Sequence, residues 1–247
     1  MRRETQNILL VLLGGALLKI SLGDSYLRYV KPAHQPWLIA AGVVMVTLAA
    51  ISIVREVLAA ARSGTAADGD LAAVGDAHGH HHNSPSAWLL VLPVLAVFLV
   101  APPSLGSDSV TRASGRAAPP VSANDDMFPP LEAGAVVPMR MSDFASRSAW
   151  DSSKSLEGRT VRLVGFVVQQ QGSTYLARMA IACCAADAFP VKVRMAGDQA
   201  TTLANDTWVE VDAVLRPGSA TQDNQYVPTV AVSGLRPVPE PTDPYEY

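Results

Sequence analysis

The chain has 247 residues, of which 49% are hydrophobic and 17% charged, and its formal net charge at pH 7 is -3. Binding of nucleic acid needs a basic face, so this charge gives no support for a protein that binds DNA or RNA. Only 7 of the 19 Lys and Arg residues and 6 of the 22 Asp and Glu residues precede Gly106. The composition therefore predicts a membrane region over residues 1–105 and a mildly acidic second part.

The first apolar run, residues 8–18, follows a basic start at Arg2 and Arg3. This pattern also suits a secretory signal peptide. However, no Ala-x-Ala cleavage site follows, and the apolar pattern continues toward Tyr26 and Tyr29. We therefore expect a first transmembrane helix over about residues 8–27.

The most apolar stretch, residues 37–54, contains no charged residue, and its only polar side chains are those of Thr47 and Ser52. As an α-helix it would span roughly 27 Å, close to the hydrocarbon thickness of a bilayer. Pro36 can begin such a helix, and Trp37 suits the membrane interface. Buried helices of soluble proteins are usually shorter and striped, so this stretch predicts a second transmembrane helix.

A hydrophilic loop over residues 62–86 carries four of the five histidines: His78, His80, His81 and His82. Neutral imidazoles at this density can bind zinc, nickel or copper. The tract lacks the fixed spacing of a structural zinc site, so a polar linker that binds no metal is the alternative interpretation.

The third apolar run, residues 87–105, is long enough to span a bilayer if Pro93 and Pro102 are accommodated within a helical bundle. Three spans place the two ends of the chain on opposite sides of the membrane. Arg2 and Arg3 favour an internal start, because positive residues are enriched on the cytoplasmic side. We therefore expect a multi-pass protein of the cell membrane, with a cytoplasmic His loop and an extracytoplasmic second part.

Residues 106–138 are rich in Ser, Ala, Pro and Asp and are expected to be a linker. A short helix is predicted over about residues 143–151, with Ser142 as its N-cap. Beyond Gly158 the apolar residues alternate, which predicts strands over about residues 160–169, 175–181, 191–195, 208–215 and 226–233. Pro228 lacks an N–H donor and so places the last strand at a sheet edge.

Five short strands separated by turn residues predict a small all-β barrel, and we expect an OB-like barrel over residues 139–236. Gly165 would allow the strong bend that such a barrel needs. The Pro-rich tail, residues 237–247, is expected to be disordered.

The two cysteines of the chain, Cys183 and Cys184, are adjacent, and Asp187 follows them. Adjacent cysteines rarely form a relaxed disulfide, so no disulfide framework is expected. Two thiolates and a carboxylate can bind a soft metal, although a complete zinc site would need a further ligand. Alternatively, the cysteines are small apolar residues in a tight connection.

The run Cys183-Cys184-Ala-Ala-Asp187-Ala resembles the YcgQ-like family of bacterial membrane proteins. Weaker similarities are the residues at 23–24, 29–32, 158–161 and 165–167 and the His-bearing loop before a third span. The resemblance implies a partner, a multi-span predicted permease, and metal handling, because some members are tied to zinc limitation. Some relatives carry cysteine in the His loop, whereas this chain has none there.

These patterns lead us to expect a non-enzymatic accessory subunit of a permease in the lipid bilayer, handling a divalent metal such as zinc. Two alternatives come from other classes: a membrane-tethered thiol redox protein, and an envelope-side binding module. The adjacent spacing disfavours the redox alternative, since redox dithiols usually have a Cys-x-x-Cys spacing. No Ser-His-Asp set, catalytic carboxylate pair or phosphate-binding Gly loop is evident, which disfavours a hydrolase or an NTPase.

Overall fold

The computed structural model describes residues 3–64, 91–100, 103–113, 128–197 and 201–247. The chain divides into two compact units. The first comprises Met1–Tyr26 with Pro32–Pro102, and the second comprises Leu27–Lys31 with Pro103–Tyr247. The break after Pro102 is close to the boundary expected at residue 105. Leu27–Lys31 was expected between two membrane helices, yet this short segment belongs to the second unit.

The first unit contains an antiparallel helical hairpin. The side-chain amide of Asn7 lies 3.4 Å from the carboxylate of Glu56, and the side chain of Gln35 donates to the carbonyl of Ser21 at 2.9 Å. Asn7 lies near the start of the first helix and Glu56 toward the end of the second, whereas Ser21 and Gln35 lie where the first helix ends and the second begins. The two helices therefore run in opposite directions. The α-helices of the described residues are α1 Arg3–Leu22, α2 Gln35–Gly64, α3 Val91–Leu99, α4 Ser107–Arg112 and α5 Met141–Trp150.

One helix of the described residues, Pro32–Arg62, is long and apolar enough to cross a membrane by length and composition. Many of its large apolar side chains are exposed, a surface that suits lipid better than water: Val43, Val44, Leu48, Ile51, Ile53, Val54, Val57 and Leu58. The other apolar helices described, Gln6–Leu22 and α3, are shorter. The first unit is thus a helical region with one helix that can span a membrane, where three had been predicted.

The second unit is built on a mixed β-sheet. Its strands within the described residues are β1 Val136–Pro138, β2 Thr160–Gln170, β3 Ser173–Ala180, β4 Phe189–Ala196, β5 Trp208–Leu215, β6 Thr229–Pro237 and β7 Tyr245–Glu246. The pairing order is β1-β2-β5-β6-β4-β3-β7, and β2 also pairs with β3. The pairings of β2, β5, β6, β4 and β3 therefore form a closed circuit. β4 and β6 are parallel, and the other pairs of the circuit are antiparallel.

The main core of this domain lies between the inward faces of the strands. Alternation along β2, β4 and β5 predicts which residues face inward, and the structure confirms this prediction. The following predicted inward residues are all at most 9% exposed: Val161, Leu163, Val167, Val191, Val193, Met195, Val209, Val211, Ala213 and Leu215. Met141 and Phe144 of α5 are buried in the same core.

Gly165 lies on β2 close to the backbone of β3. A Cβ atom at this position would lie only 2.5 Å from the carbonyl oxygen of Ala177, which is backbone and cannot swing away. Gly165→Ala is therefore expected to lower the free energy of unfolding by about 1–3 kcal/mol, as overpacked sites do. Chemical denaturation measures this loss. Gly134→Ala is the control, because the nearest atom to its added Cβ would be 3.7 Å away; equal stability of the two variants would contradict the expected clash.

Two predictions about β6 and α5 are wrong. β6 is not an edge strand, because it pairs with β4 on one side and β5 on the other, and Pro228 immediately precedes it. Ser142 does not cap α5, which begins at Met141. Instead, the carboxylate of Glu246 accepts the backbone N–H groups of Met141 and Ser142, both at 2.8 Å.

The segments expected to be a linker and a disordered tail also contribute to the fold. Within the expected linker, α4 is capped by the carboxylate of Asp206, which accepts the backbone N–H of Ser107 at 2.6 Å. In the same range β1 pairs with β2. Within the expected tail, β7 pairs with β3, and Tyr245 and Glu246 are 3% and 5% exposed. Local composition misses these segments because their partners are distant in sequence.

Candidate metal-binding site

The loop between β3 and β4 is organised by one carboxylate. Asp187 accepts the backbone N–H groups of Ala182 and Cys183, both at 2.8 Å, and that of Cys184 at 3.4 Å. A short aspartate side chain readily bonds to nearby backbone in this way. The chain consequently turns back on itself, and a single 3-10 turn, Ala185–Asp187, leads into β4.

This turn brings together the three residues that the sequence predicts as ligands. One sulfur each from Cys183 and Cys184 and a carboxylate oxygen of Asp187 all lie within 4.8 Å of one another. Cys183 and Asp187 are exposed, and Cys184 is partly exposed. Two sulfurs and a carboxylate form a donor set that suits zinc and leaves coordination positions open.

The thiol and the carboxylate of this cluster are electrostatically linked. A hydrogen bond from the Cys183 thiol to Asp187 raises the pKa of Cys183 to about 11. The same hydrogen bond, from the Cys183 thiol, lowers the pKa of Asp187 to about 2. At neutral pH the proton therefore stays on sulfur, beside an ionised carboxylate. A bound metal ion would displace that proton, whereas a redox-active thiol needs a lowered pKa.

The segment Leu27–Lys31 holds the outer edge of the loop. The backbone N–H of Ala185 donates to the carbonyl of Tyr29 at 2.7 Å, and the N–H of Lys31 lies 3.5 Å from the carbonyl of Cys183. Val30 and Cys184 form an isolated antiparallel bridge. The main chain of the cluster is therefore fixed on this side, while the sulfur atoms remain accessible.

The remaining predicted ligands, His78, His80, His81 and His82, lie outside the described residues. The contact between the loop and Leu27–Lys31 was not predicted as part of a site. In the sequence, Tyr29 only continues the first apolar pattern, and residues 29–32 contribute to the family resemblance. A backbone bridge between segments so distant in sequence leaves no local pattern that could identify it.

Removing the charge of Asp187 should make Cys183 more reactive. In metal-free protein carrying Cys184→Ala, the added change Asp187→Asn is expected to let the pKa of Cys183 fall toward its usual 9.0. Because Cys184 contributes part of the raised pKa in the unaltered protein, the thiolate fraction at pH 8 would rise by up to roughly a hundredfold. The lower nucleophilicity of that thiolate would leave up to about a tenfold faster reaction with iodoacetamide. The difference should vanish at about pH 10 and reverse at higher pH, where both thiols become ionised and the thiolate with the higher pKa is the better nucleophile.

Alkylation rates measured by mass spectrometry between pH 7 and pH 11 test this expectation. Asp143→Asn in the same background is the control, because Asp143 pairs with Arg140 on α5 and not with a cysteine. Equal rates at pH 8 with Asp187 and with Asn at that position would show that the carboxylate does not hold the thiol proton.

The fold and this cluster define a class of protein: a helical region with a helix that can cross a membrane, joined to a mixed β-sheet domain bearing an exposed thiol–carboxylate cluster. Comparison with known families agrees with this division. Residues 5–115 match the DUF1980 N-terminal domain, and residues 148–247 match the DUF1980 C-terminal domain. The chain belongs to the DUF1980 family, which is uncharacterised. No curated protein and no solved structure matches the chain.

Proposed function

We propose that this protein is a non-enzymatic membrane accessory subunit that binds a divalent metal ion, zinc being the best fit, and acts with a multi-span permease. The observation that carries the proposal is the cluster of Cys183, Cys184 and Asp187, whose ligand atoms lie within 4.8 Å of one another on an exposed loop. Thiolate and carboxylate ligands at such distances can share one zinc ion.

The incomplete donor set supports a role in passing metal on rather than in holding the fold together. Structural zinc sites are closed by four protein ligands, whereas three leave a position for water or for a ligand from another protein. The β domain already has a large apolar core that does not involve the cluster. The choice of a permease as the partner rests on the resemblance to the YcgQ-like proteins.

The membrane arrangement proposed here has three spans. The long apolar helix Pro32–Arg62 supports the second span, and we assign the first and the third to the shorter apolar helices α1 and α3. In this arrangement the His tract, residues 78–82, is cytoplasmic and provides further metal ligands. The β domain is extracytoplasmic and presents the cysteine cluster at the outer mouth of the permease.

The β domain is an OB-like barrel in this proposal. Its support is the closed circuit of pairings through β2, β5, β6, β4 and β3, which leaves no free edge between these five strands. Closure of a small, mostly antiparallel sheet pairs the edges of its strands and encloses an apolar core.

A thiol redox function is the weaker candidate for the same cluster. The hydrogen bond to Asp187 raises the pKa of Cys183 to about 11, which is opposite to the shift that activates redox cysteines. We therefore expect the cysteines to act as metal ligands.

Purification of the full-length protein from membranes tests the proposed function. In mild detergent, elemental analysis is expected to find about one zinc per chain, and mass spectrometry is expected to find a co-purifying multi-span protein. The chain should remain in the membrane pellet after extraction with alkaline carbonate. Release into the carbonate wash, or a purified protein without metal and without such a partner, would contradict the proposal.

A further inference from the structure

A groove of about 660 Å³ lies on the β domain beside β3, β4 and β6. We call it the β4 groove and define it by Ser173, Arg194, Arg216 and Thr229, which line it. Two of these side chains are cationic and two carry hydroxyl groups. None of the residues of the cysteine cluster lines this groove, so its chemistry is separate from that of the metal site.

The strand register places the two arginines on either side of one residue. Arg194 of β4 lies beside Thr229 of β6 in the parallel pairing. Arg216, just after β5, donates its backbone N–H to the carbonyl of Thr229 at 2.9 Å. Regular pairing thus brings the backbones of both arginines beside Thr229, and Ser173 at the start of β3 lines the same groove.

The charges of the β4 groove are not balanced within the described residues. Arg194 and Arg216 are exposed, and neither forms a salt bridge there, whereas Arg140, Arg162 and Arg236 each pair with a carboxylate. The described residues that line the groove include no Asp or Glu. Arginine side chains left without a carboxylate around a concave surface create a positive potential that attracts an anion.

A second cavity of about 270 Å³ extends this positive region. It shares Arg194 and Thr229 with the β4 groove and adds Lys192, whose Nζ lies 5.2 Å from the centre of the Tyr175 ring. Asp223 is the acidic residue among its lining side chains in the described part of the chain. The negative charge of Asp223 lowers the positive potential in the second cavity, so we expect the anion to bind nearer to Arg216.

We propose that the β4 groove binds a phosphate group through Arg194, Arg216 and the hydroxyl groups of Ser173 and Thr229. A guanidinium group donates two parallel hydrogen bonds to phosphate oxygens, and a phosphate has enough oxygens to accept from both arginines and a hydroxyl together. A carboxylate presents its two oxygens in one plane, whereas a phosphate presents its oxygens in a tetrahedral arrangement that better suits donors approaching from two sides. The phosphate belongs either to a soluble compound or to a phospholipid headgroup.

Calorimetric titration of the full-length protein in a neutral detergent tests this proposal and separates the two sources. One arm adds pyrophosphate, and the other adds phosphatidylglycerol to the micelles. The paired changes Arg194→Gln and Arg216→Gln are expected to weaken binding at least tenfold, because they remove both bidentate donors. Pyrophosphate binding identifies a soluble ligand, and binding of phosphatidylglycerol alone identifies a headgroup; either result supports a phosphate site.

The control replaces Arg159 and Arg236 with Gln, which removes the same charge away from the groove. An equal loss in this control would show a general charge effect and overturn the proposal. Preference for citrate over pyrophosphate would overturn it as well, as would binding of neither probe.

A variant with Lys in place of both Arg194 and Arg216 keeps the positive charge and removes the planar guanidinium groups. It should bind pyrophosphate with an affinity between those of the unaltered protein and the Gln variant. Cys183→Ala with Cys184→Ala should leave pyrophosphate binding unchanged, which separates this test from that of the metal site.

Discussion

Cys183→Ala combined with Cys184→Ala is expected to weaken zinc binding at least about a hundredfold, because both thiolate ligands are lost together. The remaining candidate ligand of the cluster, Asp187, already accepts three backbone N–H groups and holds a metal ion poorly by itself. Neither cysteine is fully buried, so the two changes leave no large cavity and the β domain should stay folded. Competition of the full-length protein with a chromophoric zinc chelator measures the affinity.

Deletion of residues 78–82 is the matched control, because it removes the other predicted ligands and leaves the cluster intact. This deletion is expected to lower the number of weakly bound ions, to preserve the high-affinity ion and to leave insertion into the membrane unchanged. If the high-affinity ion disappears with the histidines and survives the loss of both cysteines, the cluster is not the primary site. Loss of the deletion variant from membranes would contradict the expectation that the tract plays no part in insertion.

Tyr245→Ala is expected to lower the free energy of unfolding of the β domain by about 3–5 kcal/mol, the range for loss of a large buried aromatic side chain. Tyr245 is 3% exposed and packs with Phe166 and Trp208 in a buried apolar cluster separate from the main core. Its hydroxyl group accepts the N–H of Leu105 and donates to the carbonyl of Arg28, each at 3.1 Å. The substitution thus removes apolar contacts and two hydrogen bonds together.

The neighbouring residues provide a companion variant and a control. Glu246→Ala should cost about 1–3 kcal/mol, because it leaves the backbone N–H groups of Met141 and Ser142 without their acceptor. Tyr247→Ala should change stability by less than about 0.5 kcal/mol, since its side chain is 41% exposed. Denaturant titration followed by tryptophan fluorescence measures all three. Near-wild-type stability of the Tyr245 and Glu246 variants would mean that β7 is not part of the fold.

Short-range patterns predicted the sheet well. Alternation places Val161, Leu163 and Val167 on one face of β2, and all three are fully buried in the main core. Phe166 and Val168 on the opposite face are buried as well, which alternation does not predict.

The start of α5 depends on a contact that short-range patterns do not predict. Ser142 is a good local cap, but its hydroxyl has no hydrogen-bond partner among the described residues, because Glu246 occupies the end of the helix from far along the chain.

The candidate metal site could likewise be predicted from the sequence only in part. Cys183, Cys184 and Asp187 lie within five positions, so one turn suffices to bring them together, and the sequence predicts their proximity. The contacts of Tyr29 and Lys31 with this loop depend on the tertiary fold. The same holds for the β4 groove, where Arg194 of β4 and Arg216, just after β5, are both positioned by pairing with Thr229 of β6. Composition cannot reveal such pairings, because the paired segments are distant in sequence.

X-ray absorption at the zinc edge, on full-length protein loaded with one equivalent of zinc, tests the central proposal most directly. Two sulfur atoms at about 2.3 Å, together with nitrogen or oxygen atoms at about 2.0 Å, are the expected first shell. The sulfur signal should disappear when Cys183 and Cys184 are both replaced with Ala. A first shell of nitrogen and oxygen alone in the unaltered protein would contradict metal binding by the two cysteines.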